Sequence, residues 1–348
     1  MNKTITIDDR TISDASELFI TAEIGVTCNH ELDTSKKLID VVAESGADAA
    51  KFIIRFPEEI FSKSHVEYEY ETASGVEKGN LVEIFEELRF TFDEWNEIKN
   101  YADEKGVITF ATASTPSAVQ WADELGFGAF KISSWDVNNI PLLEQVAQLN
   151  KPLLIDTGPA QKHELARVLH IMEEAGNEEA LLVHCYHTDD VSQMNMKAIP
   201  YMRETFHTPV GFSSPDKNST RDIMAVSMGA CFLEKRLTLS NDLEGHHHYI
   251  SLEPDEFNEY VSMIRDTNAA TGEKDLIPSA GDLRGREKWF RSIVANEDIP
   301  EGTELDREML AAKRPPDGVS PVHIDCFDGL RVNRDIEKDE PINWNDLR

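Results

Sequence analysis

VITFATASTPSAVQWADELGFGAFKISSWDVNNIPLLEQVAQLNKPLLIDT (residues 107–157) contains three short apolar runs separated by two helical patterns. The predicted strands are Val107–Ala113, Ala129–Ile132 and Leu153–Thr157, and the predicted helices are Thr115–Leu125 and Ile140–Leu149. Pro116 suits the first turn of a helix, and Gly126 suits its end. The stretch therefore predicts strand–helix units that repeat along the chain.

The same alternation extends to both sides of this stretch. Five further strands are predicted, over Phe19–Glu23, Ala49–Ile54, Leu181–Cys185, Val210–Ser213 and Cys231–Lys235. A long polar segment from Arg55 to about Arg89 follows the second strand. Eight strand–helix units over about 270 residues fit a closed (β/α)8 TIM barrel. A doubly wound open sheet is the alternative, although no GxGxxG motif follows the first strand.

The composition changes after the barrel pattern. We expect a barrel over residues 1–272, a polar linker with Gly and Pro turns over 273–288, and a small β-rich domain over 289–348. About 60 residues is marginal for an independent hydrophobic core. The last segment should therefore pack on the barrel or on a neighbouring subunit.

Charge excludes several classes of partner. Among 348 residues, Asp plus Glu is 65 and Lys plus Arg is 34, so the formal net charge is −31. Nucleic acid and anionic membrane are unsuitable partners for such a surface. No early apolar run resembles a signal peptide, and the four cysteines form no CxxC pair. These features predict a cytoplasmic protein with reduced thiols, whose surplus acid is a surface adaptation to solubility or salt.

Polar side chains follow the predicted strands, where the active site of a TIM barrel lies. The candidates include Glu23, Lys51, Lys131, Ser134, Asp136, Asp156, His187, Ser213, Glu234 and Arg236. Two lysines and an arginine among hydroxyls predict a pocket for phosphate or carboxylate. For any single lysine, an ion pair in the barrel wall is the alternative. A Schiff-base aldolase also stays open, because a buried lysine can be a nucleophile.

Three adjacent histidines, His246, His247 and His248, follow the eighth strand. Histidine is the commonest metal ligand, so these residues are a candidate metal cluster. Adjacent side chains of a strand point to opposite faces, so at most two of the three could share an ion. A polar loop without metal is the alternative.

The motifs together resemble the sialic acid synthase family. The resemblance rests on AEIGVTCNHE (22–31), GADAAKF (46–52), FKISSWDVNNIPLL (130–143), DTG (156–158), LVHC (182–185), PVGFS (209–213), LEKRLT (233–238) and SLEPDEF (251–257). The C-terminal segment is similar to the antifreeze-like (SAF) domain of that family. The resemblance implies a TIM barrel with a SAF domain. It also implies condensation of phosphoenolpyruvate with an N-acylated amino-sugar aldehyde to give a nonulosonic acid and phosphate.

The resemblance also implies roles for single residues. Lys51, Lys131, Ser134 and Ser213 match phosphoenolpyruvate ligands, Glu23 matches a glutamate near the sugar, and Asp136 matches an acidic position. Arg314 matches an arginine that the SAF domain of a partner subunit lends in a domain-swapped homodimer. A divalent metal, Mn or Mg, activates the aldehyde in that family.

Several residues depart from the family pattern. The two metal histidines fall on Pro215 and Arg236, neither of which can bind a metal ion. Asp156 replaces a serine, and Ile53 replaces a sugar-binding amide. Further sugar-binding positions fall on His187, Asp189 and His247. The usual metal ligands are therefore absent, and a relocated site at His247 and His248 is the alternative.

Three functions remain open at this point. The first is a phosphoenolpyruvate-dependent synthase for a different aldehyde, either with Arg236 in place of the metal or with a relocated metal. The second is an enzyme that catalyses another carbon–carbon bond reaction or a lyase reaction on the same barrel. The third is a protein that binds a sugar acid or a partner without catalysis. The retained cations favour the first function, and the lost metal histidines favour the other two.

Overall fold

A computed structural model describes residues 3–72, 75–272 and 275–348. The chain divides into two compact units, Met1–Gly272 and Glu273–Arg348. The first residues of the predicted linker, 273 and 274, lie outside the described residues. Each unit has its own hydrophobic core.

The described residues alternate between short strands and helices over most of the first unit. The strands are β1 (Ile5–Ile7), β2 (Arg10–Ile12), β3 (Phe19–Glu23), β4 (Ala49–Ile54), β5 (Glu67–Thr72), β6 (Gly75–Asn80), β7 (Ile108–Ala113), β8 (Phe130–Ile132), β9 (Leu153–Asp156), β10 (Ala180–His184), β11 (Val210–Ser214), β12 (Phe232–Arg236), β13 (Ser292–Ala295) and β14 (Leu310–Lys313). The α-helices are α1 (Leu32–Ser45), α2 (Pro57–Ile60), α3 (Leu81–Glu87), α4 (Phe92–Glu104), α5 (Pro116–Glu124), α6 (Ile140–Ala147), α7 (Lys162–Glu174), α8 (Ala198–Phe206), α9 (Thr220–Ser227), α10 (Pro254–Thr271) and α11 (Ala280–Trp289). None of the described helices has the long uncharged apolar stretch that a bilayer crossing requires.

Eight parallel strands of the first unit close into a barrel, in the order β3-β4-β7-β8-β9-β10-β11-β12 and back to β3. This confirms the predicted (β/α)8 barrel. Helices cover its outside with apolar faces, as α1 does with buried Leu38, Ile39 and Val42. In the ladder, Glu23 of β3 stands between Lys51 of β4 and Arg236 of β12.

An apolar floor fills the amino-terminal half of the barrel interior. It is built from inward-facing residues that include Phe19, Phe110 and Phe232. The antiparallel hairpin β1–β2 packs against this floor through the fully buried Ile5, Ile7 and Ile12. The polar interior is therefore confined to the carboxyl ends of the strands, where a TIM barrel carries its active site.

The polar segment that follows β4 forms an insertion. It contains α2, the antiparallel hairpin β5–β6 and α3, before α4 resumes the barrel alternation. The Asn80 side chain caps α3 by accepting a hydrogen bond from the backbone N–H of Val82. On the hairpin, the Tyr70 ring lies against His246, with 4.0 Å between the ring centroids. The insertion thus reaches the loop that follows β12.

The second unit has a small core of its own, which includes Ile293, Leu305 and Phe327. Its described strands, β13 and β14, pair antiparallel, and short bridges connect further segments. The segment predicted as a turn-rich linker contains helix α11. A capping box between Ser279 and Asp282 starts that helix.

Candidate active site

The inner faces of the strands gather charged side chains at the carboxyl end of the barrel. Successive residues of a strand point to opposite faces, so Lys51, Lys131, Asp156, Glu234 and Arg236 all face inward while their neighbours face the helices. Their side chains are buried or largely buried. We call this group, with Glu23 and Ser213, the mouth cluster.

Lys131 lies at the centre of the mouth cluster. Its Nζ is 2.6 Å and 2.7 Å from the two carboxylate oxygens of Glu234 and 3.0 Å from Asp156 Oδ2. The Ser213 hydroxyl donates to Glu234 Oε1 at 3.1 Å. Although burial opposes the shift, the carboxylates of Asp156 and Glu234 raise the pKa of Lys131. This lysine therefore stays positively charged.

Asp156 differs from Glu234 in its ionisation. Burial raises the pKa of Asp156, and the charge of Glu234 adds to the shift, whereas Lys131 opposes it. Lys131 and Lys51 hold the pKa of Glu234 well below its ordinary range despite its burial. The Oδ1 atom of Asp156 is shielded from solvent and has no hydrogen-bond partner. Asp156 thus protonates more readily than Glu234 as the pH falls.

Lys51 pairs with the carboxylate of Glu23, and its Nζ is 3.9 Å from Glu234 Oε1. Burial lowers the pKa of Lys51, and the positive charges of Lys131 and Arg236 act in the same direction. Glu23 also accepts a hydrogen bond of 2.9 Å from the backbone N–H of Gly25. Glu23 thus links the end of β3 to the charge network.

Arg236 lies at the end of β12, and its Nη1 donates to the backbone carbonyl of Pro215. Burial lowers the pKa of this guanidinium. Arginine keeps its charge in proteins, so Arg236 remains a cation. The mouth cluster therefore sets three basic side chains, those of Lys51, Lys131 and Arg236, against the carboxyl groups of Glu23, Asp156 and Glu234. Burial lowers the pKa of Lys51 to about 7, so its charge is the one that varies near neutral pH.

The loop after β8 supplies a hydroxyl beside this cluster. Ser134 Oγ is 3.4 Å from Nε2 of His187. Gly158 permits this approach, because a Cβ at its backbone φ of +32° would lie only 2.5 Å from Ser134 Cβ. The ring of the exposed Trp135 lies edge-on to His187, with 4.7 Å between the centroids.

The remaining predicted residues of the first unit lie at different depths. Asp136 is half-buried and accepts a hydrogen bond of 2.7 Å from Ser114, and burial raises its pKa. Asp189 is exposed. His247 has a backbone φ of +68°, and its Nδ1 is shielded without a partner.

The residues at the mouth do not fit the divalent metal that the resemblance implies. Both ring nitrogens of His248 are engaged, with Thr238 Oγ1 at 2.6 Å and Asn29 Oδ1 at 2.9 Å. Within residues 3–72, 75–272 and 275–348, no group of three or more His, Cys, Asp or Glu side chains is arranged to hold an ion. The guanidinium of Arg236 would also repel a cation at this place.

Arg314 belongs to the second unit and is exposed. Its Nε donates to the backbone carbonyl of Trp289 at 2.5 Å, and its guanidinium lies 6.0 Å from the centroid of the Trp289 ring.

Two residues of the site were given no role from the sequence. Glu234 was expected at a strand end, and it carries the hydrogen bonds of both Lys131 and Ser213. Arg55 was not predicted and is buried just beyond the end of β4. Arg55 is four residues after Lys51, so the period of two that placed Lys51 in the mouth could have identified it as well.

The chain matches two family models. The model of the NeuB family matches residues 38–276, and the model of the SAF domain matches residues 290–348. The first match covers more than half of the chain and spans β4 to β12 of the barrel. The second contains β13 and β14.

Individual relatives match over nearly the whole length. The N-acetylneuraminate-9-phosphate synthase of Homo sapiens is 32% identical, with 93% of this chain and 91% of the relative covered. The N,N'-diacetyllegionaminic acid synthase of Campylobacter jejuni subsp. jejuni is 28% identical, with 93% and 98% covered. The crystal structure of the N-acetylneuraminic acid synthetase from Leptospira borgpetersenii serovar Hardjo-bovis, in complex with citrate, superposes with a TM-score of 0.73 at 25% identity. That alignment covers 82% of this chain and 95% of the Leptospira chain.

Proposed function

The chain belongs to the NeuB family, and we propose that it condenses phosphoenolpyruvate with an amino-sugar aldehyde to give a nonulosonic acid and phosphate. The relatives named above are synthases of sialic-acid-type sugars, which supports this reaction class. The observation that carries the proposal is the convergence of Lys51, Lys131 and Arg236 in the barrel mouth.

Phosphoenolpyruvate brings a phosphate and a carboxylate into a cluster whose charges already balance. Lys131 is paired with two carboxylates, so the substrate must displace at least one of them. Asp156 is the group that can yield, because burial raises its pKa. Once protonated, Asp156 donates a hydrogen bond to a phosphate oxygen and no longer competes as an anion for Lys131, which stays bonded to Glu234 and can also pair with the substrate.

In the proposed reaction, the methylene carbon of the enol attacks the aldehyde carbon and forms the new carbon–carbon bond. The aldehyde oxygen becomes a hydroxyl by taking up a proton. Water adds to C2 of the former phosphoenolpyruvate, and cleavage of the C2–O bond then releases phosphate and leaves a ketone. All atoms of the two substrates and one water appear in the nonulosonic acid and phosphate.

Arg236 is the cation that we assign to the aldehyde oxygen in this proposal. A fixed positive charge aimed at a developing alkoxide stabilises the transition state without being consumed. Lys51 and Lys131 hold the anionic substrate, and Ser134 and Ser213 provide hydroxyl donors. As a further part of the proposal, a second copy of the chain supplies Arg314 to the sugar in a homodimer.

Phosphate release tests the proposed reaction. We expect the full-length protein to release phosphate from phosphoenolpyruvate only when an aldehyde acceptor is present. Adding a metal chelator should not change this release. Lys131→Met should lower the rate by about 100-fold or more, in the range for loss of one preorganised donor. Lys105→Met, at an exposed lysine paired with Asp40, is the matched control and should leave the rate unchanged. Absence of phosphate release across a broad panel of acceptors would contradict the proposal.

A further inference from the structure

A second cationic group, outside the mouth cluster, lies beyond the end of β4. Arg55 is buried and stacks over the ring of Phe85 at 5.0 Å from its centroid. Its Nη1 is 3.4 Å from the carbonyl oxygen of Gly25 and 3.3 Å from His30 Nε2. Among the residues that the structure describes, no carboxylate lies within ion-pair distance of Arg55. A buried charge without a counter-ion is costly, and folding alone gives no reason to keep it.

Two imidazole rings add polar groups to the surroundings of Arg55. Arginine can only donate, so the contact from Arg55 makes His30 Nε2 the acceptor. Burial and the charge of Arg55 lower the pKa of His30 to about 3, so its ring is neutral and its single proton sits on Nδ1. That Nδ1 is shielded from solvent and has no partner. His30 therefore presents an unused N–H donor beside a guanidinium.

His247 lies in the loop that follows β12, the strand that ends at Arg236 of the mouth cluster. Burial lowers the pKa of its ring to about 2, and the positive charges of Arg236, Arg55 and Lys51 act in the same direction. Its Nδ1 also lacks a partner. Its φ of +68° is uncommon for a residue with a side chain and is a small cost in backbone energy. Arg55, His30 and His247 thus offer a positive charge and ring nitrogens without hydrogen-bond partners.

We propose that Arg55, His30 and His247 form a pocket that binds an anionic group carried by the aldehyde substrate. This inference rests on the proposed function, because the mouth cations are assigned to phosphoenolpyruvate and the aldehyde oxygen. The anion is a carboxylate or a phosphate ester, since both present the oxygens that a guanidinium fork and an N–H donor recognise. A neutral sugar would leave these buried donors without hydrogen-bond partners, and unpaired polar groups in a binding site strongly weaken the binding of such a substrate.

Acceptor specificity tests the proposal. Three acceptors are compared by steady-state phosphate release: N-acetylmannosamine, its 6-phosphate and the corresponding 6-carboxylate. We expect at least one anionic acceptor to have a KM about 10-fold or more below that of the neutral sugar, and the two anionic arms distinguish phosphate from carboxylate. Arg55→Met should raise the KM of the favoured anion by about 10- to 100-fold, the range for a charged hydrogen bond. The KM for phosphoenolpyruvate should not change.

Arg89→Met is the matched control, because Arg89 also stacks on an aromatic ring, that of Phe56 at 4.4 Å, and pairs with Glu58. It should not alter acceptor preference. Arg55→Met should fold at least as stably as the wild-type chain, because it replaces an unpaired buried charge with an apolar side chain of similar length. A thermal melt of both variants establishes this before any kinetics.

Calorimetry separates this proposal from the proposed function. If no acceptor is turned over but an anionic acceptor binds and Arg55→Met abolishes its binding, the pocket is supported and the proposed reaction fails. If turnover occurs with equal KM for neutral and anionic acceptors, or if Arg55→Met leaves the anionic acceptor unaffected, the pocket is overturned and the reaction stands. Failure of both anionic acceptors to bind would also overturn the pocket.

Discussion

His30 and His247 are neutral in the folded chain because burial, assisted by neighbouring cations, lowers the pKa of both rings. The pKa falls to about 3 for His30 and to about 2 for His247. In the unfolded chain a histidine has a pKa of about 6.5. The folded state therefore takes up these protons less readily than the unfolded state. The stability linked to each ring is fully present above about pH 6.5 and is lost as the pH falls toward the pKa of the folded state.

We expect His30→Gln to flatten the dependence of stability on pH. Between about pH 6 and pH 4, the free energy of unfolding of the wild-type chain should fall more steeply than that of the variant. The difference is about 1.4 kcal/mol per pH unit, the value for one proton. Denaturant titrations at several pH values measure it. The same change at the exposed His163 should leave the slope intact, and equal slopes for wild-type and His30→Gln would contradict the expectation.

Sequence periodicity could predict which side chains enter the mouth but not how they pair. Lys131 and Arg236 were identifiable because alternation and the barrel rule together place strand-end residues in one mouth. The pairing of Lys131 with Glu234 depends on side-chain reach between strands that are not neighbours, which no spacing encodes. His30 and His247 stand in loops at positive φ, where neither helical nor strand periodicity applies.

At the scale of elements, β12 divides its charges between the two sides of the barrel wall. Glu234 faces inward, whereas the next residue, Lys235, faces the helices. Lys235 Nζ is 2.8 Å from Asp222 of α9, and Asp222 accepts a hydrogen bond of 3.1 Å from Tyr260 of α10. This buried group ties one strand to two helices behind the active site.

Asp222→Ala should lower the free energy of unfolding by about 3–5 kcal/mol, because it leaves Lys235 charged and buried without its counter-ion. The double variant Asp222→Leu with Lys235→Met should recover much of that loss, since neither charge remains. Denaturant unfolding of the two variants measures both effects. Asp103→Ala, which removes an exposed carboxylate paired with the partly buried Lys99, is the control and should cost less than about 1 kcal/mol. Equal losses for Asp222→Ala and Asp103→Ala would refute the reasoning.

At the scale of the whole molecule, the net charge of −31 is not required by the site, whose cluster is balanced. Exposed acidic helices such as α4, with Asp93, Asp103 and Glu104, carry part of the excess. Like charges at the surface repel one another and oppose the compact state. Salt screens this repulsion, with a Debye length that falls from about 10 Å at 0.1 M to about 3 Å at 1 M.

Thermal melts in potassium chloride should therefore show a Tm that rises between 0.1 M and 1 M salt. A variant with Asp93→Asn, Glu104→Gln and Glu178→Gln, all at exposed positions, should show a smaller rise because it has less repulsion to screen. A Tm that is independent of salt in both proteins would show that surface repulsion is not a significant part of the stability.

The hairpin β1–β2 and the apolar floor have a consequence for the order of events. They fill one end of the barrel with apolar side chains, so in the proposed reaction the substrates, water and products enter and leave at the other end. If phosphoenolpyruvate binds at Lys131 as proposed, it has to bind before the aldehyde that lies nearer the opening. In that reaction the order of binding would depend on three isoleucines and a layer of aromatic rings at the opposite end of the barrel from the chemistry.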